Sequence, residues 1–148
     1  MGTRSRIGFE NEDGTVASIY VHWDSYLSHV GHILHTSYTT EEKIRELMAL
    51  GDLSSLGKEI GHKQSFDQPT DRNWCLAYGR DRGETGTEAE VSINREEYLK
   101  LSEEYTYLWS NGEWSVLSED TVPEWIPLEE ALRMDSLEDE DEDEESEE

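Results

Sequence analysis

Near the start of the chain, two short runs of alternating hydrophobic and polar residues predict a β-hairpin. Residues 4–10 alternate weakly, and residues 15–21 are rich in β-branched side chains, which favour strands. Between them, Asn11-Glu12-Asp13-Gly14 has the composition of a turn in which Gly14 adopts a positive φ. The segment therefore predicts two antiparallel strands joined by a tight turn.

A second hairpin is predicted towards the other end of the chain. Residues 105–109 and 113–117 flank Asn111-Gly112, the dipeptide most typical of a type I′ turn. A separate strand is predicted over residues 72–78. The segment from Gly79 to Glu90 holds three glycines and alternating charges, which predicts a long flexible loop, and loops of that length are often functional.

Between the hairpins, the first predicted helix directly follows the second strand. Its N-cap is Asp24 or Ser25. Gly31 lies inside this helix and lowers its stability by about 1 kcal/mol relative to Ala. We therefore expect Gly31 to permit a close backbone contact. Hydrophobic residues recur at helical spacing on the face formed by Tyr26, Val30, Ile33 and Leu34.

Two further helices have clearer start signals. Thr39 and Glu42 are spaced as a capping box, with Thr39 as the N-cap, and Gly51 is placed to end that helix. Asn94 is placed to cap a third helix over residues 95–103. The whole pattern predicts an α+β fold: an antiparallel sheet of about five strands with two or three helices packed on one face.

Charge divides the chain into a body and a tail. The 148 residues include 36 acids and 12 bases, which gives a net charge of −24 at pH 7. Residues 135–148 hold 11 of the acids and no base, so we predict a disordered acidic tail. Residues 1–134 keep a net charge of −13, and their aromatic residues predict a single folded domain with a thin core.

The acidic charge limits the class of partner. A surface of this sign repels nucleic acids and anionic membranes, and it lacks the cations that bind phosphates. We predict no direct binding to nucleic acid or membrane, and a basic protein as the partner. Cys75 is alone, which excludes an internal disulfide, and no apolar run approaches the length of a signal sequence or a membrane span. These features favour a cytoplasmic location.

One group of side chains has the composition of a small-ligand site. His22 and Asp24 are two residues apart at a strand end, where the carboxylate could orient the histidine as a general base. Arg80 and Arg82 could bind an anion. A structural interpretation stands beside each: Asp24 can cap a helix, and the arginines can pair with nearby acids.

Three histidines lie along the first helix at a spacing that does not suit a metal. His29, His32 and His35 are three residues apart, whereas ligands on one helix are typically four apart, as in H-E-x-x-H. A partly exposed histidine surface is the expectation, and Zn²⁺ binding by two of the three histidines with Asp24 or His62 is the alternative. Cys75, inside a strand, is expected to be a small buried residue. No Walker A, G-x-G-x-x-G or G-x-S-x-G pattern occurs, so we predict no metal and no cofactor.

Several segments of the body resemble a family of small phage-encoded proteins. The similar segments are M-G-T-R-S-R-I-G at residues 1–8, I-Y-V-H-W-D-S-Y at 19–26, G-D-L-S-S-L-G at 51–57, A-Y-G-R-D-R-G-E at 77–84 and the hairpin at 107–109. The family typically opens with M-G-T-R-S-x-I-G and carries an I-Y-x-H-W-D-G-Y-like motif. Ser25 and Leu27 stand where it more often has Gly and Pro, which changes the strand-to-helix turn. The resemblance implies a phage accessory protein in the host cytoplasm, and it implies no activity or functional residue.

These observations favour a binding protein over an enzyme. We hypothesise a phage accessory protein that blocks a basic, nucleic-acid-binding surface of a host protein, for example an enzyme that acts on nucleic acid, by presenting carboxylates in place of DNA phosphates. In a phage this would serve counter-defence or host takeover. The candidate carboxylates are Glu41, Glu42 and Glu46 in the body and Glu138, Asp139, Glu140 and Asp141 in the tail.

Two alternatives stay open. The first is a ligand- or metal-binding domain or an enzyme that uses His22, Asp24, Arg80 and Arg82. The second is an interaction module that recruits partners through its acidic tail while the body binds something else.

Overall fold

Both predicted hairpins form, and they supply the central strands of one sheet. The computed structural model describes residues 4–23, 25–68, 73–101, 103–118 and 125–134. Within those residues the strands are β1 (Ser5–Glu10), β2 (Val16–Val21), β3 (Leu53–Ser55), β4 (Leu76–Ala77), β5 (Glu90–Ser92), β6 (Tyr105–Ser110), β7 (Glu113–Ser118) and β8 (Ile126–Pro127). Their order is β4-β3-β2-β1-β6-β7-β8, and β5 also pairs with β2. Asn111 and Gly112 have φ values of 53° and 81°, as a type I′ turn requires.

The sheet is larger than predicted, and it is mixed rather than antiparallel. The two hairpins join through β1 and β6, which run parallel with Ser5 opposite Tyr105, and β2 and β3 are also parallel. The α+β class is confirmed, whereas the prediction of about five antiparallel strands is wrong. Strands of two or three residues, such as β5 and β8, are too short to show alternation, which explains why the sequence did not predict them.

Helices fill the connections between the strands. A π-helical turn (Leu27–Gly31) leads into α1 (His32–Ser37), and then follow α2 (Glu41–Leu50), α3 (Tyr78–Arg82), α4 (Arg95–Leu99) and α5 over residues 128–134. Asn94 caps α4 as predicted, because its side chain accepts the Glu97 N–H at 2.9 Å. The N-cap of α2 is Thr40 rather than Thr39, since the Thr40 hydroxyl accepts the Lys43 N–H.

Three other local predictions need correction. Ser25 does not cap a helix, because its hydroxyl donates to the Val21 carbonyl, and Asp24 lies outside the described residues. Within residues 73–78, the described part of the strand predicted over residues 72–78, the strand is limited to β4, since α3 begins at Tyr78 and makes the first part of the predicted loop helical. The third helix ends at Leu99 instead of residue 103.

The main core lies between one face of the sheet and the layer made by α1, α2 and α5. Buried residues from both hairpins, including Ile7 and Tyr107, pack there with Leu34, Leu47 and Leu128 from the helices. The predicted packing of helices on one face is incomplete, because α4 covers the opposite face. There Tyr98 packs with Val16 and Leu108 in a second, smaller core.

Gly31, for which a close backbone contact is expected, lies against side chains instead. A Cβ at this position would lie 3.3 to 3.4 Å from atoms of Leu27, Leu128 and Tyr107. The layer is also tied to the sheet by the Tyr107 hydroxyl, which donates to the Ser25 carbonyl at 2.8 Å. None of the helices in the described ranges is long and apolar enough to cross a membrane.

Candidate functional site

The candidate carboxylates of the body lie on the outer face of α2. Ile44, Leu47 and Met48 recur at helical spacing and are buried on the inner face of this helix. Glu41, Glu42 and Glu46 are exposed. Glu42 and Glu46 lie one turn apart on the outward side, and Glu41, in the first turn, lies about 100° round the helix axis from Glu42. We call these three exposed carboxylates the α2 acidic face.

The two cations of α2 form no ion pair with the acids of this face. The Lys43 ammonium lies 4.6 Å from the centre of the Tyr38 ring and donates to the Lys58 carbonyl at 2.7 Å. The Arg45 guanidinium lies 4.7 Å from the centre of the Phe9 ring. No described residue forms an ion pair with an acid of the α2 acidic face. The helix therefore presents net negative charge to solvent.

The tail candidates cannot be placed beside this face. Glu138, Asp139, Glu140 and Asp141 lie outside the described residues, with the rest of residues 135–148. The acidic site that the structure describes is consequently confined to the body.

A cleft of about 330 Å³ opens beside the start of α2. Trp109 and Trp114 form part of its wall from the β6–β7 hairpin, with their ring centroids 5.4 Å apart. The Trp114 indole N–H donates to the Tyr38 carbonyl at 2.8 Å, whereas the buried Trp109 indole N–H has no acceptor among the described residues. The lining also includes His35, Thr39, Glu113 and Glu129.

The sequence had not indicated this cleft. The Asn111-Gly112 turn does set the register that makes Trp109 and Trp114 direct neighbours across the hairpin. Nothing local to the sequence, however, brings α1, the hairpin and α5 together around them. Only the turn chemistry could have identified the two tryptophans as a pair.

His22 takes part in a polar contact within β2 and the residues that follow it. Its Nδ1 atom is 2.8 Å from the Tyr20 hydroxyl, and its ring meets the Trp23 ring edge to face. Burial, as the largest cause, raises the pKa of the Tyr20 phenol. Because Asp24 lies outside the described residues, the predicted pairing of His22 with this carboxylate cannot be assessed.

Arg80 has a structural role inside the fold. Its guanidinium donates to both carboxylate oxygens of Asp81, to the Ile60 carbonyl and to the Cys75 carbonyl, at 2.7 to 3.1 Å. Asp81 also accepts the N–H groups of Gln64 and Ala77. These partners occupy the donors that an anionic ligand would need.

Arg82 is more exposed, but it also has intramolecular partners. Its guanidinium lies 5.0 Å from the centre of the Phe66 ring and 3.4 Å from the Glu84 carboxylate. Within the described residues, no hydrogen bond, ion pair or ring contact joins His22 to Arg80 or Arg82. These side chains therefore do not make up one site through direct contacts.

The remaining histidines and the cysteine are dispersed. His29 contacts the Tyr26 ring, His62 contacts the Trp74 ring, and His32 is exposed. No group of three or more His, Cys, Asp or Glu side chains in the described ranges is arranged to hold a metal ion. Cys75 is buried, and burial raises the pKa of its thiol, so it is a structural residue of the core as expected.

Comparison with known proteins adds no relative to this description. No family model, no curated protein and no solved structure matches the chain.

Proposed function

We propose that the protein is an acidic, non-enzymatic binding protein that occupies a basic, nucleic-acid-binding surface of another protein. The observation that carries this proposal is the α2 acidic face, whose carboxylates are exposed and lack ion-pair partners among the described residues. In the phage setting that the sequence resemblance implies, the partner would be a host protein that acts on nucleic acid, and blocking it would serve counter-defence or host takeover.

The helix supplies a fixed array of charge. Glu42 and Glu46 are four residues apart, so they lie one above the other at about 6 Å along the helix axis. A basic groove that reads the regular charges of a nucleic-acid backbone would meet a similar regular series of negative groups here. Because the helix is anchored by its buried stripe, binding has to order the Glu side chains but not the backbone that carries them.

Long-range attraction would come from the whole molecule. The net charge of −24 raises the local concentration of a cationic partner and speeds its encounter. Charges that steer in this way act mainly on the association rate, whereas close charge pairs slow dissociation. The α2 acidic face would then supply the close pairs, and the acids of residues 135–148 would add to the steering.

The test is affinity capture from a bacterial lysate with the full-length chain and with Glu41→Gln/Glu42→Gln/Glu46→Gln. The proposal expects capture of a nucleic-acid-binding protein, its release by about 0.5 M salt or by added duplex DNA, and at least a tenfold weaker affinity for the triple variant. Tenfold corresponds to about 1.4 kcal/mol. Screening explains the salt effect, because the Debye length falls to a few Å at high ionic strength.

A matched control separates position from total charge. Glu12→Gln/Glu96→Gln/Glu104→Gln removes the same charge from exposed acids that also form no ion pair in the described part of the chain. It should weaken binding much less than the α2 variant. Equal effects of the two variants, or a complex that is indifferent to salt and DNA, would contradict the proposal.

A further inference from the structure

We propose that the cleft beside the β6–β7 hairpin receives an arginine side chain of the basic partner. This inference rests on the proposed function, because that function supplies a cationic ligand. It adds a specific pocket next to the α2 acidic face: Thr39 lines the cleft and directly precedes Thr40, the N-cap of α2. One basic segment could therefore contact both.

The walls of the cleft suit the methylene stem of such a side chain. Pro127, at the end of β8, is exposed, and Trp109 and Trp114 add a narrow accessible strip each, whereas Leu128 lies fully buried among the lining residues. Trp114 is fixed by its hydrogen bond to the Tyr38 carbonyl, and it holds Trp109 through an edge contact. A wall that is already ordered takes up a ligand without a large entropy cost.

The rim of the cleft suits the cationic head. Glu113 and Glu129 line it, both are exposed, and neither forms an ion pair with any described residue. Long cationic side chains typically bury their stems on apolar surface while the charged head stays at a polar edge. A guanidinium binds a carboxylate through two parallel hydrogen bonds, which an ammonium cannot do, so arginine fits this rim better than lysine.

Trp109 provides an independent indication of a ligand. Its side chain is 94% buried, yet its indole N–H has no acceptor among the described residues. Leaving a buried donor unpaired is destabilising, and buried polar groups in proteins nearly always have a partner. A main-chain carbonyl of a bound segment is the type of acceptor that this N–H lacks. An arginine within a peptide offers that carbonyl as well as the cation.

The experiment titrates the full-length protein with N-acetyl-arginine N-methylamide and follows the indole N–H resonances by ¹⁵N NMR. The resonance absent from Trp109→Phe identifies Trp109. We expect a saturable shift of this resonance in the millimolar range. N-acetyl-citrulline N-methylamide, which is nearly the same shape but neutral, should bind at least tenfold more weakly, and the lysine analogue several-fold more weakly. No shift with the arginine probe, or equal affinity for citrulline, would overturn the proposal.

Variants of the rim test the assignment of the carboxylates. Glu113→Gln/Glu129→Gln should weaken the arginine probe at least fivefold. The control Glu12→Gln/Glu96→Gln removes the same charge at positions that do not line the cleft, and it should change the affinity less than twofold. Equal effects of the two double variants would mean that the probe senses only the overall field, and would contradict an arginine pocket.

Two measurements distinguish failure of the arginine-cleft proposal from failure of the proposed function. Glu41→Gln/Glu42→Gln/Glu46→Gln should leave the arginine titration within about twofold of the unmodified protein, although it should weaken binding of the basic partner at least tenfold. Arginine binding without a DNA-displaceable partner would overturn the proposed function alone. A partner that binds through α2, with no response of Trp109 to arginine, would overturn the cleft assignment alone.

Discussion

At the scale of single residues, Asp81 shows how this acidic chain uses a charge for structure. Its side chain is completely buried. It joins Gln64, in the segment between β3 and β4, to Ala77 at the end of β4. Burial raises the pKa of the carboxyl, but hydrogen bonds from Arg80, Ala77 and Gln64 outweigh burial and hold the pKa below its usual value. The ion pair that had been the structural alternative to an anion site is therefore part of the fold.

Asp81→Asn should destabilise the fold by about 3 kcal/mol at pH 7, because it leaves the guanidinium of Arg80 without its charged partner and places an amide among N–H donors. A lowered folded-state pKa contributes stability that is present above the unfolded pKa of about 3.9 and is lost as pH falls through the folded pKa. The difference in the free energy of unfolding between the unmodified protein and Asp81→Asn should therefore be constant from pH 7 to about 5. It should shrink below about pH 4. Urea unfolding at these pH values measures it.

The control for this prediction is Glu84→Gln, which breaks the exposed pair with Arg82. This substitution should change the free energy of unfolding by no more than about 0.5 kcal/mol at every pH, because exposed ion pairs contribute little. Two results would contradict the prediction: a loss of stability for Asp81→Asn as small as that of the control, or the same loss at pH 3 as at pH 7. Either would mean that the Arg80–Asp81 pair does not stabilise the segment around Gln64.

At the scale of elements, Gly8 shows what local sequence could not reveal. It lies in the middle of β1, between Ile7 and Phe9 of the main core, on the face that α4 covers. A Cβ at Gly8 would lie 2.7 Å from Cζ of Tyr98, whose hydroxyl donates to the Tyr107 carbonyl at 2.7 Å. The glycine therefore allows the Tyr98 ring to lie directly on the strand.

Gly8→Ala should destabilise the protein by about 1–3 kcal/mol, because the methyl group overpacks the contact with Tyr98. In a Tyr98→Ala background the same change should cost close to nothing, since Ala is otherwise favoured over Gly in a strand. Thermal or urea unfolding of the four proteins in this double-mutant cycle gives the coupling. Additive costs would show that the strain at Gly8 arises elsewhere.

The same scale shows which parts of the fold were predictable. Both hairpins followed from turn chemistry that acts within a few residues, at Gly14 and at Asn111-Gly112. The parallel pairing of β1 with β6 joins residues that are far apart in sequence, and no local pattern encodes it. The position of α4 on the opposite face of the sheet depends on the β1–β6 pairing. The sequence therefore predicted neither the pairing nor the position of α4.

The candidate site divides in the same way. The α2 acidic face could be predicted because one helix contains both its buried stripe and its charges. The cleft could not, because His35, Trp109 and Glu129 meet only after the sheet and the helical layer have assembled. The Arg80 loop offered two interpretations from sequence, and only the burial of Asp81 distinguishes the structural one.

At the scale of the whole molecule, the high net charge means that salt should act in opposite directions on the stability of the fold and on the affinity for a basic partner. The 24 excess negative charges repel one another in the compact state, so screening should stabilise the fold. The same screening should weaken binding to a basic partner. Salt also weakens ion pairs, which would lower stability. Most of these pairs, such as Glu10 with Arg95, are partly exposed, so they contribute little to stability.

We expect the melting temperature to rise by about 3 °C, or about 1 kcal/mol, when NaCl increases from about 0.01 to 0.15 M, as the Debye length falls from about 30 to 8 Å. A chain that ends at Met134 lacks 11 acids and keeps a net charge of −13, so its melting temperature should rise less. Calorimetry on both chains measures the two slopes. A melting temperature that falls with salt would mean that ion pairs outweigh repulsion. The acidic surface would then be largely neutralised from within, and the α2 acidic face would have little charge left to offer a partner.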